Sequence, residues 1–400
     1  MISKKMQSLA MAGSAIRAMF EEGNRLASVY GAENVFDFSI GNPNFAAPDE
    51  VKKAAFDILE SYESIDIHGY MSNSGYEEVR DAVAKSINGR FGTAFTKGNL
   101  IMTVGAAGGL NIILKTLLNP GEEVIVISPY FLEYGNYIKN YDGVVVTVPA
   151  RPSDFQLDTE ALSKAITPKT KAVIINSPNN PTGVIYSEET LVRLASVLKA
   201  REAEFGTSIY ILSDEPYREL AYENIAVPFI IKYYENTVVA YSWSKSLSLP
   251  GERIGYLLLP SEMDDFQLIY DCACIASRIM GFVNAPSLFQ RIVARCLDAK
   301  TDIGAYDLNR RILYNGLTDC GFECVNPQGT FYLWVKSPVP DDTEFLQEAK
   351  KYNILMVPGK SFACPGYVRI AYCASKEKIE RSLPAFKKLA EAYGLKKKKD

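Results

Sequence analysis

Short runs dominated by apolar residues, free of charged ones, recur through the middle of the chain. They lie at residues 100–104, 124–127, 144–148, 172–175, 209–212, 237–241 and 254–259. A strand with one face in water alternates apolar and polar residues, whereas one covered on both faces does not. Segments with helical spacing fall between most of these runs, at 110–118, 130–139, 159–166 and 188–204. The pattern predicts an α/β fold, with a mostly parallel sheet of the seven-stranded type covered by helices, over a large domain at 50–285.

The flanks read differently. Residues 14–30 carry Ile16, Met19, Phe20 and Leu26 at helical spacing, with Ser14 as the expected cap, and 35–40 alternate like a strand. Helices are expected at 49–62 and 75–91, and a polar loop at 67–74. After Pro286 the sequence predicts helices at 287–297, 302–317 and 376–393, with strands at 322–325 and 330–335. This describes a smaller α+β domain, 286–400, completed by an N-terminal arm, 1–49.

In open parallel sheets, ligands bind beyond the C-terminal ends of the strands. The residues there are Asn180 after the run ending at Ile175, Asp214 and Tyr217 after Leu212, and Lys245 after Tyr241. Lys245 stands among Ser242, Ser244, Ser246 and Ser248, eight positions before Arg253. A buried amine is costly in its charged form, and a neutral one is a nucleophile toward carbonyls. A lysine at a strand end also reaches solvent by snorkelling, and this stretch alone does not decide between the two. Gly105, Ala106 and Ala107 follow the run at 100–104 and open a helix, which aims backbone N–H groups at an anion or simply allows close packing. Each remaining residue has an ordinary reading too: Asn180 in a turn, Asp214 as a helix cap, Arg253 paired with Glu252. Their order along the chain favours one rim. An acid, a phenol, an amide, an amine and a guanidinium there suit pyridoxal 5'-phosphate, with a protonatable ring nitrogen, a ring hydroxyl, an aldehyde and a phosphate.

Composition excludes several alternatives. The 400 residues, 48% hydrophobic and 22% charged, are those of an ordinary soluble chain, and a net charge of -4 argues against nucleic acid as a partner. The single histidine, His68, is too little for a histidine-rich metal site, and seven cysteines without CxxC spacing read as reduced thiols in a cytoplasm. No apolar run approaches membrane-spanning length, and no signal peptide is read at the N-terminus. The basic run from Lys396 to Lys399 is expected to be a solvated helix end.

The segments SIGNPNF, TVGAAGGLN, NPGEEVIVISPYF, INSPNNPTG, ILSDEPY, SWSKSLSLPGERIGY and YVRIAYC together resemble the class I/II aminotransferases, of the fold-type I pyridoxal-phosphate enzymes. The resemblance implies that Lys245 is the Schiff-base lysine and that Asp214 partners the ring nitrogen. It implies that Asn180 and Tyr217 bind the ring hydroxyl and that Phe131 stacks on the ring. Gly105, Ala106, Ala107, Ser242, Ser244 and Arg253 would hold the phosphate. Gly41, Asn180 and Arg369 would bind the substrate carboxylate, and Tyr70 would reach the phosphate of a neighbouring subunit in a homodimer. The implied activity is ping-pong transamination between an L-amino acid, with aspartate as first choice, and a 2-keto acid, with 2-oxoglutarate as first choice. Alanine or aromatic donors, a lyase of the same fold and a non-catalytic regulator are the alternatives. Arg278 is considered as a partner for a distal carboxylate.

Overall fold

The computed structural model describes residues 2–12 and 15–397. Its main sheet has seven strands in the order Leu100–Thr103, Gly255–Leu258, Thr237–Ser242, Tyr210–Asp214, Thr170–Asn176, Glu123–Ser128 and Val144–Pro149. The last five pair in parallel, and Gly255–Leu258 runs antiparallel to both its neighbours.

Apolar residues run unbroken along the central strands because successive side chains enter different cores. Ile125, Val173 and Ile175 point into one cluster with Val83, Leu194 and Ile292, from the helices Glu77–Phe91, Glu188–Phe205 and Ser287–Arg295. Val124, Val126, Ala172 and Ile174 point into the other, with Ile113, Leu114 and Ile269 from Gly105–Leu117 and Phe266–Ile279. Val144–Pro149 is apolar yet partly exposed, since it forms the sheet edge.

A second sheet, antiparallel, has the order Val357–Pro358, Tyr367–Ala371, Tyr332–Lys336 and Cys324–Val325. Its core includes Leu313, Phe331, Phe345, Ile370 and Phe386, and Phe38 from the N-terminal segment is buried in it. The strand expected over 35–40 shortens to Phe36–Asp37, which pairs with Ile354–Leu355. Asp37 then accepts from the Ser39 backbone and hydroxyl at 2.9 and 2.6 Å, and the chain leaves the extended path.

Other elements depart from the sequence reading. The helix expected at 110–118 begins at Gly105, so the small residues form its first turns. There they permit close approach, since a Cβ on Gly109 would lie 3.0 Å from Leu257 Cδ2. A short helix, Ser64–His68, enters the expected polar loop, leaving His68 exposed. The helix expected at 130–139 starts late, at Glu133. Helices Phe266–Ile279 and Asp342–Lys350 were not anticipated. A helix the sequence did not mark, Lys4–Ala12, comes first; the helix expected at 14–30 covers Ala15–Tyr30, and its expected cap, Ser14, lies outside the described residues. The last helix ends at Ala392, so Lys396 and Lys397 lie beyond it, and Lys398 and Lys399 are outside the described residues. Among the described residues, no helix is long and apolar enough to cross a membrane, and no cluster of metal-ligating side chains occurs.

Candidate active site

A cavity of about 300 Å³ opens at the C-terminal ends of the parallel strands, where the second sheet meets the first. Gly41, Ala106, Ala107, Phe131, Asn180, Asp214, Tyr217, Ser242, Ser244, Lys245, Arg253 and Arg369 all line it.

Asp214 ends its strand and is buried. Its Oδ2 accepts from the Tyr134 hydroxyl at 2.5 Å, while Oδ1 is buried without a partner. Burial raises its pKa to about 7, against the lowering by Tyr134. An isolated buried carboxylate oxygen is expensive to leave unpaired, so it calls for a donor from within the cavity. Asn176 braces this corner, donating to the Asp214 carbonyl at 2.8 Å and accepting from the Asn180 N–H at 2.7 Å.

Lys245 lies in the single helical turn Trp243–Ser246 and donates from Nζ to the Gly41 carbonyl at 3.0 Å. Burial lowers its pKa to about 8; the nearby Cys373 thiol opposes the change, and Arg369 and Arg253 reinforce it. The amine is thus more readily neutral than an ordinary lysine.

The register of the sheet builds an anion cradle. Gly255 pairs with Thr103 on one side and Ser242 on the other, and a Cβ on Gly255 would come within 3.0 Å of the Gly105 backbone. Gly105, with φ +76°, opens its helix beneath Arg253, and a Cβ there would lie 2.9 Å from Arg253 Nη2. Ser242 and Ser244 share a hydroxyl contact of 2.7 Å, and Arg253 Nη1 reaches Ser244 Oγ at 3.5 Å. Arg253 has φ 52°, an uncommon conformation for a side-chain-bearing residue. A helix N-terminus, two hydroxyls and a guanidinium are the donor set of a phosphate site. With the unpaired Asp214 oxygen and the Lys245 amine in the same cavity, the residues fit pyridoxal phosphate.

Arg369 is buried on the opposite wall, donating to the Ser39 carbonyl at 2.7 Å and Asn180 Oδ1 at 3.1 Å, with Nε unpartnered. Its guanidinium lies over the rings of Tyr332 and Phe362, at 4.3 and 4.9 Å. Tyr217 and Tyr332 hydroxyls meet at 3.1 Å, and burial raises the pKa of both phenols. Gly41 passes so close to Tyr332 that a Cβ would overlap its hydroxyl.

Tyr134, Tyr137, Asn176 and Tyr332 line the cavity without having been singled out in the sequence. Tyr134 lies three residues beyond Phe131, and its position was the available signal. Tyr332 has none, reading as an ordinary core aromatic. Tyr70, 95% exposed, is not among the lining residues, nor is Arg278, exposed near the end of Phe266–Ile279.

Comparison with known proteins identifies the family. The family described as aminotransferase class I and II matches residues 33–386. An amino transferase from Eubacterium rectale superposes with a TM-score of 0.96 at 46% identity, covering 98% of this chain and 99% of that one. The aspartate/prephenate aminotransferase of Thermus thermophilus is 33% identical over 356 residues, 86% of this chain and 88% of that protein. Aromatic-amino-acid aminotransferase 2 of Thermococcus litoralis is 31% identical over 373 residues, 90% and 92% of the two chains. The chain belongs to the class I and II aminotransferases, enzymes that transfer amino groups with pyridoxal 5'-phosphate as cofactor.

Proposed function

We propose that this aminotransferase takes the amino group of aspartate and gives it to 2-oxoglutarate, with Lys245 as both the cofactor-holding residue and the proton carrier. The observation behind the site assignment is the convergence of the unpaired Asp214 oxygen, the Lys245 amine and the Arg369 guanidinium on one cavity. Asp214 Oδ1 would receive the ring N–H, Tyr217 and Asn180 would hydrogen-bond the ring hydroxyl, Phe131 would cover a ring face, and Lys245 would hold the cofactor at its aldehyde. Arg253, Ser242, Ser244 and the N–H groups of Gly105, Ala106 and Ala107 hold the phosphate. When bound, the cofactor supplies an electron sink for charge developing at the substrate Cα.

The rest is the work of this chain. Arg369 clamps the α-carboxylate in two charge-assisted hydrogen bonds, with Gly41 and Asn180 beside it. That fixes the Cα–H bond toward Lys245, whose lowered pKa leaves Nζ able to accept the proton and later return it. The buried Asp214 carboxylate would keep the ring nitrogen protonated. In this reading residues 50–285 and 286–400, the latter completed by 1–49, form two domains that meet at the cavity. A homodimer completes each site, with the exposed Tyr70 reaching the partner's phosphate.

Aspartate as a substrate is supported by the Thermus thermophilus relative, an aspartate/prephenate aminotransferase. The cavity itself favours a second reading, an aromatic donor. Its three lining cations, Lys245, Arg253 and Arg369, all have roles in the scheme, whereas the rings of Tyr137 and Tyr332 have none and remain available to a side chain. Mixing amino acids singly with the purified holoenzyme, and following loss of the visible cofactor absorption, separates these readings. Aspartate should discharge the band and 2-oxoglutarate restore it. A band discharged by phenylalanine or tyrosine but not aspartate would replace the first reading with the second, and a band untouched by any amino acid would overturn both.

A further inference from the structure

Lys245 sits on a single helical turn, Trp243–Ser246, and one turn holds little stability of its own. Its position is therefore set by what grips its two ends. The N-terminal end is gripped at Ser242, whose hydroxyl accepts from the Ser244 N–H at 3.2 Å. The C-terminal end is gripped from behind, on the side of the sheet away from the cofactor cavity. Ser246 Oγ lies 3.0 Å from the Tyr241 hydroxyl, which lies 3.3 Å from Glu219 Oε1. Glu219 in turn receives Arg90 Nη2 on both oxygens, at 2.8 and 2.7 Å. The Ser246 carbonyl is held separately by the Thr301 N–H at 3.0 Å.

Glu219 belongs to the same short segment as Asp214 and Tyr217. Asp214 and Tyr217 line the cofactor cavity, while Glu219 lines a second cavity of about 320 Å³ together with Arg90, Tyr241, Trp243 and Ser246. One side of the segment would hold the cofactor ring, and its far end, through Tyr241, holds the turn that carries the lysine. Tyr241 is itself fixed by rings, stacked on Tyr256 at 4.9 Å and edge-on to Trp243 at 5.4 Å.

We propose that Tyr241 and Ser246 are positioning residues for Lys245: their hydrogen bond, anchored by Glu219 and Arg90, ties the lysine turn to the segment bearing Asp214 and Tyr217. Neither side chain touches the substrate or cofactor. The inference rests on the role given to Lys245 above. It makes the spacing between amine and ring a property of the reverse side of the sheet.

Tyr241→Phe removes the hydroxyl and keeps the ring, and Ser246→Ala removes the other partner. Each should lower kcat about tenfold and change KM for the amino acid less than about twofold, the effect of one lost hydrogen bond expressed at the reacting centre. The double variant should be no worse than Tyr241→Phe alone, because that change already breaks the contact Ser246→Ala removes; unrelated structural damage at two sites would add. A second readout uses the cofactor-free full-length chain: the pH midpoint for labelling of Lys245 by a small amine-reactive reagent, read by mass spectrometry. Lys245 is faced by Cys373, Arg369 and Arg253, none of which changes in these variants. The midpoint should rise from about 8 toward the ordinary 10.5 as the loosened turn lets the amine reach water. Unchanged kcat and midpoint in both single variants, or strictly additive losses in the double, overturn the inference. If Tyr241→Phe does not fold, Ser246→Ala decides alone by the same two measurements. Failure of the underlying reading is separate: in that case Lys245→Ala would retain the visible absorption of covalently held cofactor.

Discussion

Asp214 makes the cofactor-free protein weaker as the pH rises, and Asp214→Asn should remove that dependence. The carboxyl is buried with Oδ1 unpaired, and its pKa rises from the ordinary 3.8 to about 7. Between these values the folded chain keeps a proton that the unfolded chain has released, so stability falls as pH increases through the window. Above about pH 7 both states are ionised and the full cost remains, about 4 kcal/mol at about 1.36 kcal/mol per tenfold. From pH 5 to pH 8 the same relation gives a loss of about 2–3 kcal/mol. Asparagine carries no charge and can still accept from Tyr134. Any fixed cost of its amide is the same at both pH values. Urea unfolding of the cofactor-free wild type and variant at pH 5 and pH 8 isolates the difference. The wild type should lose about 2–3 kcal/mol more than the variant across that interval. Bound pyridoxal phosphate should abolish the disparity, since the ring N–H then satisfies Oδ1. Parallel pH dependence of the two cofactor-free proteins would refute the claim that Asp214 is held uncharged by burial.

Arg369→Ala should raise KM for the amino donor by at least about 100-fold, because two charge-assisted hydrogen bonds of roughly 1.5–3 kcal/mol each are lost. Steady-state kinetics with an unchanged KM would remove Arg369 from the carboxylate site. Gly105→Ala would force a Cβ to 2.9 Å from Arg253 Nη2 at a backbone angle of φ +76°. It should weaken pyridoxal phosphate binding about tenfold or more, given about 1–2 kcal/mol for the backbone alone. Equal affinities in an absorbance titration would place the phosphate elsewhere. Lys245→Ala should abolish turnover and the visible absorption of covalently held cofactor together, and a band surviving in the purified variant would contradict the lysine assignment.

The parts of this protein legible in the sequence are those fixed by local pattern. Continuous apolar runs mark strands buried on both faces, and the polar residues just after them, Asn180, Asp214 and Lys245, face the cavity because a strand end fixes where its next residues go. Helix Phe266–Ile279 escaped notice since it starts after Asp265 in a left-handed conformation with no side-chain cap. Helix Asp342–Lys350 did carry a signal, with Asp341 accepting from the Thr343 N–H at 2.8 Å. Tyr332 was illegible for a different reason. It pairs with Ala371 while Trp334 pairs with Arg369, and only that register, joining segments far apart in sequence, sets its ring under the Arg369 guanidinium.

Long-range register also explains how the stretches proposed to hold the phosphate come together. Gly105, Ser242 and Arg253 come from three separate stretches, each with an innocuous local reading. They become one donor set because Gly255–Leu258 inserts antiparallel between Leu100–Thr103 and Thr237–Ser242. Pairing Gly255 with both Thr103 and Ser242 sets the Gly105 helix start and the Ser242–Ser244 turn on either side of Arg253. A side chain at Gly255 would collide with the Tyr241 carbonyl at 2.2 Å and approach the Gly105 backbone at 3.0 Å, so glycine is required where the three stretches meet. The strand that breaks the parallel order of the sheet is thus the one on which the proposed anion site depends.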